Sequence, residues 1–203
     1  MKSTNRFKRT MQFLHRQAGM TLMEIIAALA IIAAVVVGAL ALFNSAQSSN
    51  TSVTIMRDIV AIRSAMQQLY LGQGTYKPQG AGDNDMNAQL QSSRKMPTDL
   101  PFISNSEGFR TPWGGTISVK PFSVSGVYPF FTIILKNVPP DICTQITTNL
   151  STGWSSTYAN SQLIGSIKPE DNHLYPVKPA DANTHCNPTS SGSGVDVEFR
   201  TIN

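Results

Sequence analysis

The side chains that could do chemistry are few: three histidines, two cysteines and 12 carboxylates in 203 residues. His15 stands in a basic N-terminal stretch, while His173 and His185 fall in a proline-rich segment. His185 is next to Cys186, yet two ligands fall short of the three or four that a zinc site uses, and the cysteine has a better use in a bridge. The cluster Asp83, Asn84 and Asp85 has the composition of a solvated turn rather than of a calcium loop, and no serine sits in a nucleophile-elbow spacing. Asn149-Leu150-Ser151 matches a glycosylation acceptor triplet, a pattern that is common by chance. These patterns point to no enzyme, no metal and no cofactor.

Two features remain. Cys143 and Cys186 lack C-x-x-C spacing and read either as one disulfide or as two unrelated buried thiols. A chain that crosses a membrane into an oxidising compartment favours the bridge. Closing a loop of that size contributes about 3 to 4 kcal/mol on the chain-entropy model. Glu24 stands at the head of Ile25–Phe43, 19 residues with no charge, no proline and a single glycine, Gly38. A carboxylate at the membrane end of such a run is costly unless it is paired or snorkels to the headgroups. Both readings stay open on charge alone.

The elements that must carry these residues follow from hydropathy. As a helix, Ile25–Phe43 spans roughly 28 Å, enough to cross a bilayer once. Ile55, Ile59, Ile62, Met66 and Leu69 then recur at alternating spacings of four and three, which predicts an amphipathic continuation with Arg57, Asp58, Arg63, Gln67 and Gln68 on its other faces. Gly72 and Gly74 supply the stop. An ordinary secretory signal would be cut after Ala39-Leu40-Ala41, but that cut would leave the amphipathic helix headless.

The net charge of +4 invites a nucleic-acid reading until the charges are placed. Lys2, Arg6, Lys8, Arg9 and Arg16 all precede Met20, and the remainder carries 11 basic and 12 acidic residues. Basic residues ahead of an apolar run hold that end in the cytoplasm, so no nucleic-acid partner is expected.

Residues 72–113 read as a long connection of little regular structure, with a short helix near Met86 to Ser92. Thr116–Lys120 and Tyr128–Lys136 read as strands, the second central, with Pro129 marking its start. Pro139-Pro140 opens a short helix bearing Ile142, Cys143, Ile146 and Leu150. Ser151–Asn187 reads mostly as loop, and Val195, Val197 and Phe199 alternate as a closing strand. The expected class is α+β, a sheet of antiparallel type laid on the C-terminal half of a long helix, with a C-terminal loop region closed by the disulfide.

Gly19-Met20-Thr21-Leu22-Met23-Glu24, after a short basic leader and before an apolar helix, resembles the prepilin signature of type IV pilins. Met20 in place of Phe as the first mature residue, with 184 residues after the leader, is similar to the type IVb branch, which includes bundle-forming and toxin-coregulated pilus subunits. The 19-residue leader is shorter than many in that branch.

The resemblance implies residues 1–19 as a removed leader, 20–43 as the membrane and assembly helix, 44–71 as its amphipathic continuation and 72–203 as a globular head. It implies that prepilin peptidase cuts between Gly19 and Met20 and commonly methylates the new amine. Glu24 then pairs with the Met20 amine of a neighbouring subunit. The implied partners are other copies of the chain, the peptidase, the assembly machinery and the inner membrane. The implied location is that membrane before assembly and an extracellular filament after it. A minor pilin, a type II secretion pseudopilin and a signal-anchored periplasmic domain that never polymerises are the competing readings.

Overall fold

The computed structural model describes residues 21–78, 85–150, 152–187 and 194–201. Its first helix, α1, runs from Leu22 to Leu69. Two compact units meet within it, one ending at Asn44 and the other beginning at Ser45. In the first unit the helix is apolar on every side, and its large side chains are exposed, from Ile25 at 43% to Leu22 at 78%. An 18-residue window there has a mean hydropathy of 3.0. A helix of this kind is stable only where lipid or other apolar helices surround it.

In the second unit α1 is amphipathic. Ile55, Ile59, Ile62 and Met66 are fully buried, as the spacing predicts, and Leu69 is half-buried. Asp58 corrects the sequence reading, which set it on an outer face: the structure buries it in the same arc. It lies three residues after Ile55 and four before Ile62, so a helical face wide enough to hold those isoleucines also holds the aspartate.

That face packs into a core shared with a seven-stranded sheet. The strands are β1 (Phe102–Ser104), β2 (Gly108–Arg110), β3 (Thr116–Val124), β4 (Val127–Val138), β5 (Ser156–Ala159), β6 (Gln162–Ser166) and β7 (Val195–Arg200). Their order is β1-β2-β3-β4-β7-β5-β6, and every pairing is antiparallel. The last strand therefore lies inside the sheet, with Ile133↔Phe199 on one side and Thr157↔Phe199 on the other.

Three further expectations change. The stretch 72–113 holds not only a helix, α2 (Asp85–Ser92), but also β1 and β2. Pro129 lies inside β4 rather than at its start, in the part of the strand that extends past the β7 pairing, where it interrupts no β4–β7 ladder bond. In Ser151–Asn187 the expected loop is interrupted by β5, β6 and the helix α4 (Pro179–Cys186), which together hold nearly half of its residues. The β5–β6 turn is Asn160-Ser161, both at positive φ, a two-residue hairpin whose twist suits the flanking strands.

Asn87 shows why α2 docks where it does. Its side chain accepts from the Val119 N–H at 2.8 Å and donates to the Asn105 carbonyl at 2.9 Å, supplying β3 with a partner just past the short β2 pairing. The helix after β4, α3 (Pro140–Asn149), has Pro140 at its first position and buries Ile142, Cys143 and Ile146, as its spacing predicts.

Candidate functional site

Glu24 occupies the first turn of α1 and is exposed. Thr21 precedes the helix, and its Oγ1 accepts from the Glu24 N–H at 3.3 Å, a bond shared with the Thr21 carbonyl at 3.0 Å. Thr21-x-x-Glu24 is the capping-box spacing, so the threonine helps to fix the helix start that presents the carboxylate. Among the described residues no basic side chain forms an ion pair with Glu24. Gly19 and Met20 lie outside the described residues. The sequence reading missed the cap, although the signal, a threonine three residues before a glutamate at the head of an apolar run, was present.

The second expected feature is formed. Cys143 on α3 and Cys186 on α4 are joined by a disulfide with their Cα atoms 5.7 Å apart. Both are buried, and the bridge, between cysteines 43 residues apart in sequence, pins α3 to α4. The hydroxyl of Ser48 on α1 donates to the Asp141 carboxylate at the head of α3. The guanidinium of Arg63 lies 4.8 Å from the centroid of Trp154, a buried ring that also packs on Phe199. The bridged region is thereby fixed to both the helix and the sheet.

Two ionisable groups in the head, Tyr175 and Asp58, are displaced far from their ordinary range. Burial pushes the Tyr175 hydroxyl up to about 12, opposed by its 2.7 Å hydrogen bond with Thr157 Oγ1 and aided by Tyr158. Burial also raises Asp58 to about 6, the Asp99 carboxylate adds to the rise, and Arg57 pulls it back. Neither group lies in a cleft with a nucleophile or a metal set, and no group of three or more metal-ligating side chains converges among the described residues. The arrangement builds a rigid head rather than a reactive centre.

Residues 48–195 match the family model described as PilS N terminal. The chain belongs to the PilS family of pilins. Residues 14–40 of this pilin also match the model of the prokaryotic N-terminal methylation motif, which covers Gly19 through Glu24. Over 186 residues the pilin is 26% identical to the major structural subunit of the bundle-forming pilus of Escherichia coli O111:H-, spanning 88% of this chain and 92% of that one. The corresponding protein of Escherichia coli O127:H6 is 25% identical over the same length and the same shares of both chains. The fold resembles the crystal structure of a type IV b pilin from Salmonella typhi, with a TM-score of 0.57 at 19% identity, over 74% of this pilin and 99% of that chain. It also resembles TcpA, a type IV pilin from Vibrio cholerae El Tor, with a TM-score of 0.57 at 15% identity, over 75% and 99% of the two chains. Pilins are structural subunits, not enzymes.

Proposed function

We propose that the chain is the major structural subunit of a type IVb pilus. The observation that carries this reading is a 22-residue stretch of helix, Leu22–Phe43, exposed along its length and apolar but for Glu24, which has no ion-pair partner among the described residues, on a chain with a pilin head. The match to bundle-forming pilus subunits, over 88% of this chain and 92% of each relative, supports the major rather than the minor role.

In this reading residues 1–19 hold the leader in the cytoplasm, and prepilin peptidase cuts between Gly19 and Met20. Glycine leaves the backbone open to the enzyme's close approach. The new Met20 amine is cationic and becomes the partner of Glu24 in a neighbouring copy. In the low-dielectric setting of packed helices that attraction is strong, and a lone carboxylate there is costly. Assembly then exchanges the lipid around the apolar helix for protein and places the heads outside, where the fibre makes adhesive, aggregative or conjugative contact. The subunit thus moves from a single-pass state in the inner membrane to an extracellular filament, through the assembly machinery of that membrane.

Mass analysis of the N-terminus in sheared surface fibres and in membranes tests cutting and export together. The expected surface form begins at Met20. A chain confined to membranes with residues 1–19 intact would overturn the proposal.

A further inference from the structure

His173 and His185 lie 12 residues apart in sequence, and the fold brings their rings together with centroids 6.5 Å apart and planes at 86°. Each ring stands on a separately fixed backbone. The carbonyl of His173 accepts from the Ser166 N–H at 2.7 Å, and the Tyr175 N–H donates to the Ser166 carbonyl at 3.2 Å, so the strip around His173 is tied to the edge strand β6. His185 sits in the last turn of α4, next to Cys186, which the disulfide locks to α3. Both histidines are half-buried.

We propose that His173 and His185 form a binding site for a divalent transition-metal ion of the zinc and copper class. Imidazole nitrogens are good ligands for these ions, and two metal–nitrogen bonds of about 2.0–2.1 Å to one ion are compatible in length with rings at roughly this separation. Cys186, the other soft donor nearby, is held in the disulfide and takes no part. Asp181 lies one helical turn before His185 on α4 and is half-buried. With two protein ligands, the remaining positions go to water, so the site binds more weakly than a closed four-ligand zinc site. An occupied site ties the segment before Pro176 to α4 through a second link beside the disulfide.

The test is copper titration of the detergent-solubilised full chain carrying His15→Ala, in which these two histidines are the only ones left. The expected result is one Cu2+ per chain with a nitrogen pattern from two imidazoles in electron paramagnetic resonance. His173→Asn and His185→Asn should each reduce that pattern to one imidazole and weaken binding at least tenfold, while near-ultraviolet circular dichroism from the buried Trp154 stays native. A single-imidazole pattern in the parent, or binding unchanged in both natively folded variants, would overturn the site.

Discussion

Asp58 Oδ1 lies 3.7 Å from Arg57 Nη2, while its other carboxylate oxygen is buried with no hydrogen-bond partner among the described residues. The same guanidinium stands 3.6 Å from Asp99 and is largely exposed, so it answers two carboxylates at long range. The aspartate is thus buried in the head with only part of the compensation that a buried charge needs.

The first prediction follows from its displaced titration. Asp58 is raised from 3.8 to about 6, by burial first and by Asp99 second, against the lowering effect of Arg57. A carboxyl raised on folding holds its proton more tightly in the native state. Its penalty is therefore absent below pH 3.8, grows as pH rises, and is fully present above about 6. Asp58→Asn should stabilise the head at pH 7 by about 1 to 2 kcal/mol, allowing for the water that reaches Arg57 and Asp99. Chemical denaturation at pH 3 and pH 7 checks this: the gain should all but vanish at the lower pH. A variant less stable than the parent at pH 7 would show that the carboxylate is needed as an ion-pair partner.

Gly108 offers a purely steric prediction. It has φ +82°, and a Cβ there would lie 2.3 Å from the Ile117 carbonyl oxygen and 2.9 Å from Ser118 Cα. Gly108→Ala should cost about 2 kcal/mol or more, from the left-handed backbone and the clash with β3 together. Gly126, also at positive φ but with open space around it, should cost only about 1 kcal/mol on the same change. Comparing the two denaturation midpoints separates strain from collision.

Removing the disulfide in Cys143→Ser/Cys186→Ser should lower head stability by about 3 to 4 kcal/mol. The loss should be local first, because α4 is tied to α3 through this bridge. Hydrogen exchange checks it: amides in Pro179–Cys186 should lose protection before those of β4 and β7.

Glu24→Ala should leave the chain folded, inserted and processed but poorly assembled, since the carboxylate makes no side-chain contact within the described residues that the head depends on. Filament yield measured against the membrane-held pool reads this directly, and abundant normal fibres would refute the pairing role. Gly19→Val should instead leave the uncut precursor in the membrane, which a shift in apparent mass reports.

How much of this was legible before the fold is best seen element by element. The buried stripe from Ile55 to Met66 and the alternation of Val195, Val197 and Phe199 could be read because burial on one face imposes a period, and the period survives in the residue types. The pairs β1–β2 and β5–β6 could not. Their strands are three to five residues long, too short to show a period, and turns such as Asn160-Ser161 look like loop. Asp58 was misplaced because polarity was taken as exposure, although its helical position put it among the isoleucines. For the site, Glu24 stood out as the one charge heading an apolar run, and the two cysteines allowed one pairing within the chain.

The sequence by itself determined what is local or forced by composition: a helix apolar all round, its amphipathic continuation, the lone Glu24, and a single possible pairing for the only two cysteines. Only the tertiary structure decided that β7 enters between β4 and β5, that Asp58 is buried, and that His173 meets His185. The physical reason is range. Period, capping and hydropathy act within a few turns of chain, whereas strand order and side-chain neighbours depend on how distant segments share one core, which no single stretch encodes.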